Sequence, residues 1–152
     1  MHCKIKAVTT QDIAPTTKVV IVDDSPLIAT RLRQQISAYP SIEIVGVAIN
    51  IPTALELIEA HKPEVVILDI YLKEDAPLSS GITLLDTLRK AHPQLQIIML
   101  TNLSGEAYQN KCMELGANFF LDKSSDFEKI PELLVQIHQM ANTPWPWVKE
   151  TK

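Results

Sequence analysis

The sequence predicts a doubly wound α/β sandwich, a five-stranded parallel sheet with helices on both faces. Three observations carry this. Runs rich in Val and Ile, such as Lys18–Asp24, Glu64–Ile70 and Gln96–Thr101, read as strands buried on both sides. Between them lie stretches with apolar residues at helical spacing. The two kinds of segment alternate along the chain, which argues for crossover connections and parallel strands.

Residues 1–17 read as a polar N-terminal extension, 18–141 as the domain and 142–152 as a C-terminal tail. Strand one, 18–24, runs into Asp23 and Asp24. Ser25 and Pro26 then suit a helix start, as N-cap and first helical residue. Helix one extends to about Ala38, with Leu27, Ile28, Leu32 and Ile36 on its apolar stripe. Strand two, 42–49, begins with the alternation of an edge strand. Pro52 opens helix two, which ends at His61 before Pro63. Strand three, 64–70, again delivers an aspartate, Asp69, at its carboxyl end. A polar loop over 73–80 leads through Gly81 to helix three, 82–91. Strand four, 96–101, ends in Thr101. Helix four, 104–115, closes on Gly116, a natural C′ residue. Strand five, 118–123, ends in Lys123. Ser125 or Asp126 caps helix five, which runs to about Met140. The tail carries Pro144-Trp145-Pro146-Trp147, which cannot be helical throughout.

Bulk properties narrow the function. The chain of 152 residues suffices for one domain, and its net charge of −4 provides no basic patch, so no direct nucleic-acid partner is expected. Two cysteines, Cys3 and Cys112, make neither a metal spacing nor a disulfide framework. No run approaches the ~20 apolar residues that span a bilayer, and the N-terminus lacks a signal-peptide h-region. The expectation is a cytoplasmic protein without a membrane contact.

The most economical topology, flavodoxin-like with strand order 2-1-3-4-5, places the ends of strands one and three side by side at the switch point, where ligands bind. One sheet edge then collects Asp23, Asp24, Asp69, Thr101 and Lys123. Clustered carboxylates repel and raise one another's pKa. A hard divalent cation relieves this, and Mg²⁺ (or Mn²⁺) takes one or two carboxylates while completing its shell with water and phosphate oxygens. A lysine and a hydroxyl beside it suit a phosphoryl group. There is no P-loop and no Gly-x-Gly fingerprint. The site reads as one for phosphoryl transfer with a carboxylate nucleophile.

At this point the chain resembles the receiver domain of two-component response regulators, over about residues 18–141. The resemblance rests on Val22-Asp23-Asp24-Ser25, Ile67-Leu68-Asp69-Ile70, Leu100-Thr101 and Gly116-Ala117-Asn118-Phe119-Phe120-Leu121-Asp122-Lys123, in order and at the matching strand ends. It implies that Asp69 is the phosphoacceptor. It implies that Asp24, Asp69 and the Tyr71 backbone carbonyl ligate the metal, with Asp23 acting through water. Thr101 and Lys123 would hold phosphoryl oxygens, and Thr101 and Phe120 would form the conformational switch. Tyr71, Asn102 and Leu103 would govern access to the phosphoryl group. The implied partners are a sensor histidine kinase or histidine phosphotransfer protein and a downstream protein, reached through the face of helix four, strand five and helix five. A homodimer stays open.

The chain departs from the family pattern in a longer loop before Gly81, in Asn102 after Thr101, and in Ser124 after Lys123, where proline is common. A non-proline cis bond there would cost ~3–4 kcal/mol. The expected role is a stand-alone switch rather than an enzyme, one that promotes its own phosphorylation and dephosphorylation. The alternatives are a receiver fragment of a larger regulator, or a receiver-like binding module without phosphotransfer. An aspartyl phosphatase would need a second acidic residue two after Asp69, where Tyr71 stands.

Overall fold

The computed structural model describes residues 16–72, 80–103 and 105–142. Of the extension expected over 1–17, the loop expected over 73–80 and the tail expected over 142–152, residues 1–15, 73–79 and 143–152 lie outside the described residues, as does Ser104; Thr17 instead begins a strand, Ser80 begins a helix and Asn142 ends one.

The elements follow the predicted alternation. They are β1 (Thr17–Val22), α1 (Pro26–Ile36), β2 (Ile42–Ala48), α2 (Ile51–His61), β3 (Val65–Leu68), α3 (Ser80–Ala91), β4 (Gln96–Thr101), α4 (Glu106–Glu114), β5 (Phe119–Asp122) and α5 (Ile130–Asn142). All strand pairs are parallel, in the order β2-β1-β3-β4-β5. The edge strand β2 carries an irregularity beside its one glycine. Val19 pairs with Ile44 and Val20 with Gly46, so Val45 is an extra residue. Glycine suits position 46 because an added Cβ would stand 2.9 Å from two carbons of Leu57.

The helix ends are chemically specified. The Ser25 side chain accepts from Ile28 N at 3.4 Å, and Asn50 Oδ1 accepts from Thr53 N at 2.9 Å. The start of α5 differs from expectation. Pro131 has no N–H and fits only a first helical turn. The chain therefore makes a short 3₁₀ turn at Phe127–Lys129 before the α-helix begins at Ile130.

Pleating divides the core into two layers. Val20, Val22, Val66, Leu68, Ile97 and Met99 pack with residues of α2, α3 and α4. Val19, Ile21, Val65, Ile67, Ile98 and Leu100 pack with residues of α1 and α5. Cys112 of α4 is wholly buried, and burial pushes its thiol up to about 11. Native protein at neutral pH is expected to resist alkylation at Cys112, and denatured protein to react fully, as read by peptide mass. Rapid native labelling of Cys112 would contradict that packing. Among the described residues no helix is long and apolar enough to cross a membrane.

Candidate phosphoryl-transfer site at the carboxyl edge of the sheet

Register and pleat assemble the site. Val22 pairs with Leu68, so the next residues, Asp23 and Asp69, leave the sheet as neighbours. Asp23 N donates to Ala48 O at 2.9 Å and Asp69 N to Val22 O at 3.0 Å, which fixes both backbones. Continuing the alternation past the strand ends puts Asp23, Asp69 and Lys123 on the α1–α5 side. Thr101 falls on the other side, with Met99 and Phe120.

Lys123 Nζ lies 2.7 Å from Asp23 Oδ2 and 2.8 Å from Asp69 Oδ2. The three side chains are 9%, 4% and 8% exposed, so this is a nearly buried acid–lysine–acid bridge. The free oxygens are engaged unequally. Among the described residues, Asp23 Oδ1 accepts from Ser25 N at 2.9 Å, whereas Asp69 Oδ1 has a single 3.4 Å contact, from Tyr71 N.

The electrostatics follow from two acids sharing one ammonium. Burial is the main cause that raises the Asp23 pKa, and the charge of Asp69 adds to it; the Lys123 hydrogen bond works against both. Burial alone would lower the Lys123 pKa, yet its hydrogen bonds and ion pairs with Asp23 and Asp69 together raise it. The lysine gains from two carboxylates, while Asp23 gains from half a lysine. Burial therefore weighs more than the mutual repulsion anticipated from the sequence.

In front of the bridge lies a cleft of about 380 Å³. Asp24, Asp69, Tyr71, Asn102 and Lys123 line it, as the sequence anticipates. Thr101, Leu103 and Phe120 do not. Thr101 is wholly buried, with Oγ1 accepting from Leu103 N at 3.1 Å, and Leu103 and Phe120 rest against the core layer under α2–α4. Ser124 belongs to a polar turn at the cleft. Its N–H and hydroxyl donate to Asp122 Oδ1 at 2.7 and 2.5 Å, and Asp126 Oδ2 accepts from Asp122 N at 2.9 Å.

Ser25, Ile28, Arg31 and Ser124 also line the cleft and were not anticipated. For the α1 residues a signal existed: 25, 28 and 31 repeat every three positions, one helix face pointing back at the acidic pair. The Arg31 guanidinium also lies 4.3 Å from the centre of the Phe127 ring.

A divalent cation fits the donor set, since Asp24 and Asp69 offer hard carboxylate oxygens to one cleft and Asp23 stands beside Asp69. Among the described residues, no group of three His, Cys, Asp or Glu side chains is already gathered for a metal. Two of the acids are turned onto Lys123.

Fold and site together define a class, a doubly wound α/β protein with an acid–lysine pocket at the carboxyl edge of its sheet. The chain belongs to the response regulator receiver domain family, whose profile matches residues 19–135. It is 38% identical over 115 residues to protein-glutamate methylesterase/protein-glutamine glutaminase 1 of Carboxydothermus hydrogenoformans, covering 74% of this chain and 32% of that protein. It is 40% identical over 107 residues to the type 2 enzyme of Pseudomonas aeruginosa, covering 69% and 29%. The chain thus spans about a third of the length of these curated relatives. Among solved structures it is similar to the response regulator domain of Thermotoga maritima CheB. There the TM-score is 0.68 at 30% identity, over 86% of this chain and 99% of that one. It is also similar to a chain of the CheX-CheY-BeF3-Mg²⁺ complex of Borrelia burgdorferi. That match has a TM-score of 0.72 at 25% identity, over 84% and 92%.

Proposed function

We propose that the chain is a phosphorylation switch in which Asp69 accepts a phosphoryl group from a phosphohistidine on a sensor kinase or phosphotransfer protein. The observation that carries this is the Lys123 bridge, which holds Asp69 at the cleft by one oxygen and leaves Oδ1 weakly engaged. Oδ1 supplies the electron pair for the new O–P bond as the P–N bond breaks and its pair returns to the donor imidazole. Lys123 stays beside the acceptor and faces the incoming phosphoryl charge. Asp24, Asp69 and the Tyr71 carbonyl would hold Mg²⁺ (or Mn²⁺), with Asp23 behind, and the ion would spread charge on the phosphoryl oxygens. The Borrelia neighbour, a complex with BeF3 and Mg²⁺, supports that part of the reading.

The output proposed is a change on the α4–β5–α5 face. Thr101 and Phe120 share one face of adjacent strands, so a Thr101 hydroxyl drawn from Leu103 N toward the phosphoryl group frees space beside Phe120. The receiver acts by binding a partner. The methylesterase relatives favour a second reading, in which the same switch governs such a catalytic module.

Intact-mass measurement with a small phosphodonor and Mg²⁺ tests the core of this. Wild type should gain one phosphoryl group and Asp69→Asn none; stable labelling of the variant would refute the choice of acceptor. A further prediction concerns lifetime. Tyr71, 39% exposed, walls the cleft, whereas Leu103 does not. Tyr71→Asn is expected to speed loss of the phosphoryl group severalfold by admitting an in-line water. Decay identical to wild type would mean that Tyr71 does not shield it.

A further inference from the structure

The larger concavity lies at the opposite, amino edge of the sheet. It is a groove of about 940 Å³ whose apolar walls include Ile58, Pro63, Leu95, Phe119, Ile137 and Met140. A groove of this size matches those that take up ligands or partner side chains. The phosphoryl-transfer cleft shares no residue with it. Met140 is 72% exposed, the most exposed of the large hydrophobic residues among the described ones. Such a surface calls for a cover.

The sequence continues directly from the rim of this groove. Met140 and Ala141 are walls of the groove, and α5 ends one residue later at Asn142. The next residues are Thr143-Pro144-Trp145-Pro146-Trp147-Val148, uncharged throughout and holding both tryptophans of the chain. Prolines at 144 and 146 oppose continuation of the α5 helix. At most roughly 3.5 Å per residue separates Asn142 from Trp145 and Trp147, within about 20 Å of reach. Each indole buries roughly 150–250 Å² when covered, which suits a groove of aliphatic, proline and phenylalanine walls. The tether also sets the contest with other occupants. A segment joined at the rim meets the groove at an effective concentration on the order of millimolar, above that of a second copy in dilute solution.

We propose that the C-terminal segment 143–152 folds back on its own domain and seats Trp145 and Trp147 in this groove.

Because Trp145 and Trp147 are the only tryptophans, fluorescence of the full chain reads the segment directly. Wild type should emit at the short wavelengths of covered indole and resist acrylamide quenching. Met140→Glu and Ala141→Glu, both at exposed positions, should shift emission to the red and raise the quenching constant severalfold. Far-UV circular dichroism should stay unchanged. Leu27→Glu, at a 65% exposed position on α1 outside the groove, should change nothing. Solvent-like emission in wild type, silence of both groove variants, or an equal response to Leu27→Glu would overturn the proposal. So would a blue emission lost on dilution together with a fall in sedimenting mass, which would assign the groove to a second copy.

Discussion

Lys123→Met is expected to give a protein whose stability deficit depends on pH, small near pH 4 and large near pH 8. The variant keeps the bulk of the side chain and removes the ammonium from between Asp23 and Asp69, which it touches at 2.7 and 2.8 Å. Breaking a buried pair by deleting one partner costs about 3–5 kcal/mol, because the other charge remains buried and unpaired. Here two charges remain, at nearly closed positions. Asp23 already titrates above its ordinary 3.8 in wild type, from burial first and Asp69 second, with Lys123 opposing both. Without Lys123 it rises further. An acid with a raised folded pKa holds its proton longer when folded, so stability falls as pH rises from 3.8 through the folded value. That window is therefore where the variant diverges from wild type. Lys123 has its own window. Its raised pKa stabilises the fold fully below 10.5 and is lost as pH climbs through the folded value, so only wild type should show that alkaline loss. Urea titrations at both ends of the range measure the first effect. Millimolar Mg²⁺ at neutral pH should return part of the deficit, a cation standing in for a cation. An equal deficit at pH 4 and pH 8, unmoved by Mg²⁺, would mean that the carboxylates do not depend on Lys123 for their charge balance.

That bridge marks where reading residues in a row stops being enough. β1, β3 and β4 are legible because buried parallel strands are continuous Val and Ile runs, and the ends of those runs locate Asp23, Asp69 and Thr101 along the sheet edge. The identity of the pocket residues was legible too, since charge in such a position needs a reason. Direction was not. Whether a strand-end side chain points into the cleft depends on pleat parity counted from the register, which put Lys123 with the two acids and Thr101 on the opposite face. The same limit applies to Leu103, which flanks the pocket in sequence and faces the core in space. The Val45 irregularity had one local hint, Gly46 inside the strand run, but only pairing with β1 exposes the extra residue. The late start of α5 was available in principle from Pro131. Arg31 was available from the spacing of α1, once the cleft rather than the core is taken as the organising side.

Gly81→Ala is expected to be the most damaging glycine substitution in the domain. On propensity alone the change should help, because alanine favours a helix interior over glycine by about 1 kcal/mol. Space decides otherwise. A Cβ on Gly81 would stand 1.9 Å from the Asp69 carbonyl oxygen and 2.7 Å from both Cα and O of Ile70. These are backbone atoms, and Gly81 N donates to Ile70 O at 2.7 Å, so the start of α3 is pressed onto the chain at Asp69 and Ile70. No rotamer change relieves such a clash. Overpacking typically costs about 1–3 kcal/mol where side chains can yield, and a backbone clash belongs at or above the top of that range. A fall in Tm of about 10 °C is expected for a chain of this size. Gly116→Ala should come second. Gly116 has a φ of +111°, but its nearest neighbour is the flexible Arg89 side chain at 2.7 Å. Gly105→Ala should stay within about 1 kcal/mol of wild type, since its Cβ meets nothing within 4 Å. The functional consequence follows from the same contact. Whatever relief Gly81→Ala finds must move the backbone of Asp69 or Ile70, and under the proposed phosphotransfer a displaced Asp69 would lose its alignment with the phosphoryl donor. Surviving folded protein should therefore phosphorylate at least tenfold more slowly, on the order seen for small misplacements of reacting groups. A Gly81→Ala protein with wild-type Tm and labelling rate would show that α3 does not press on the chain at Asp69 and Ile70.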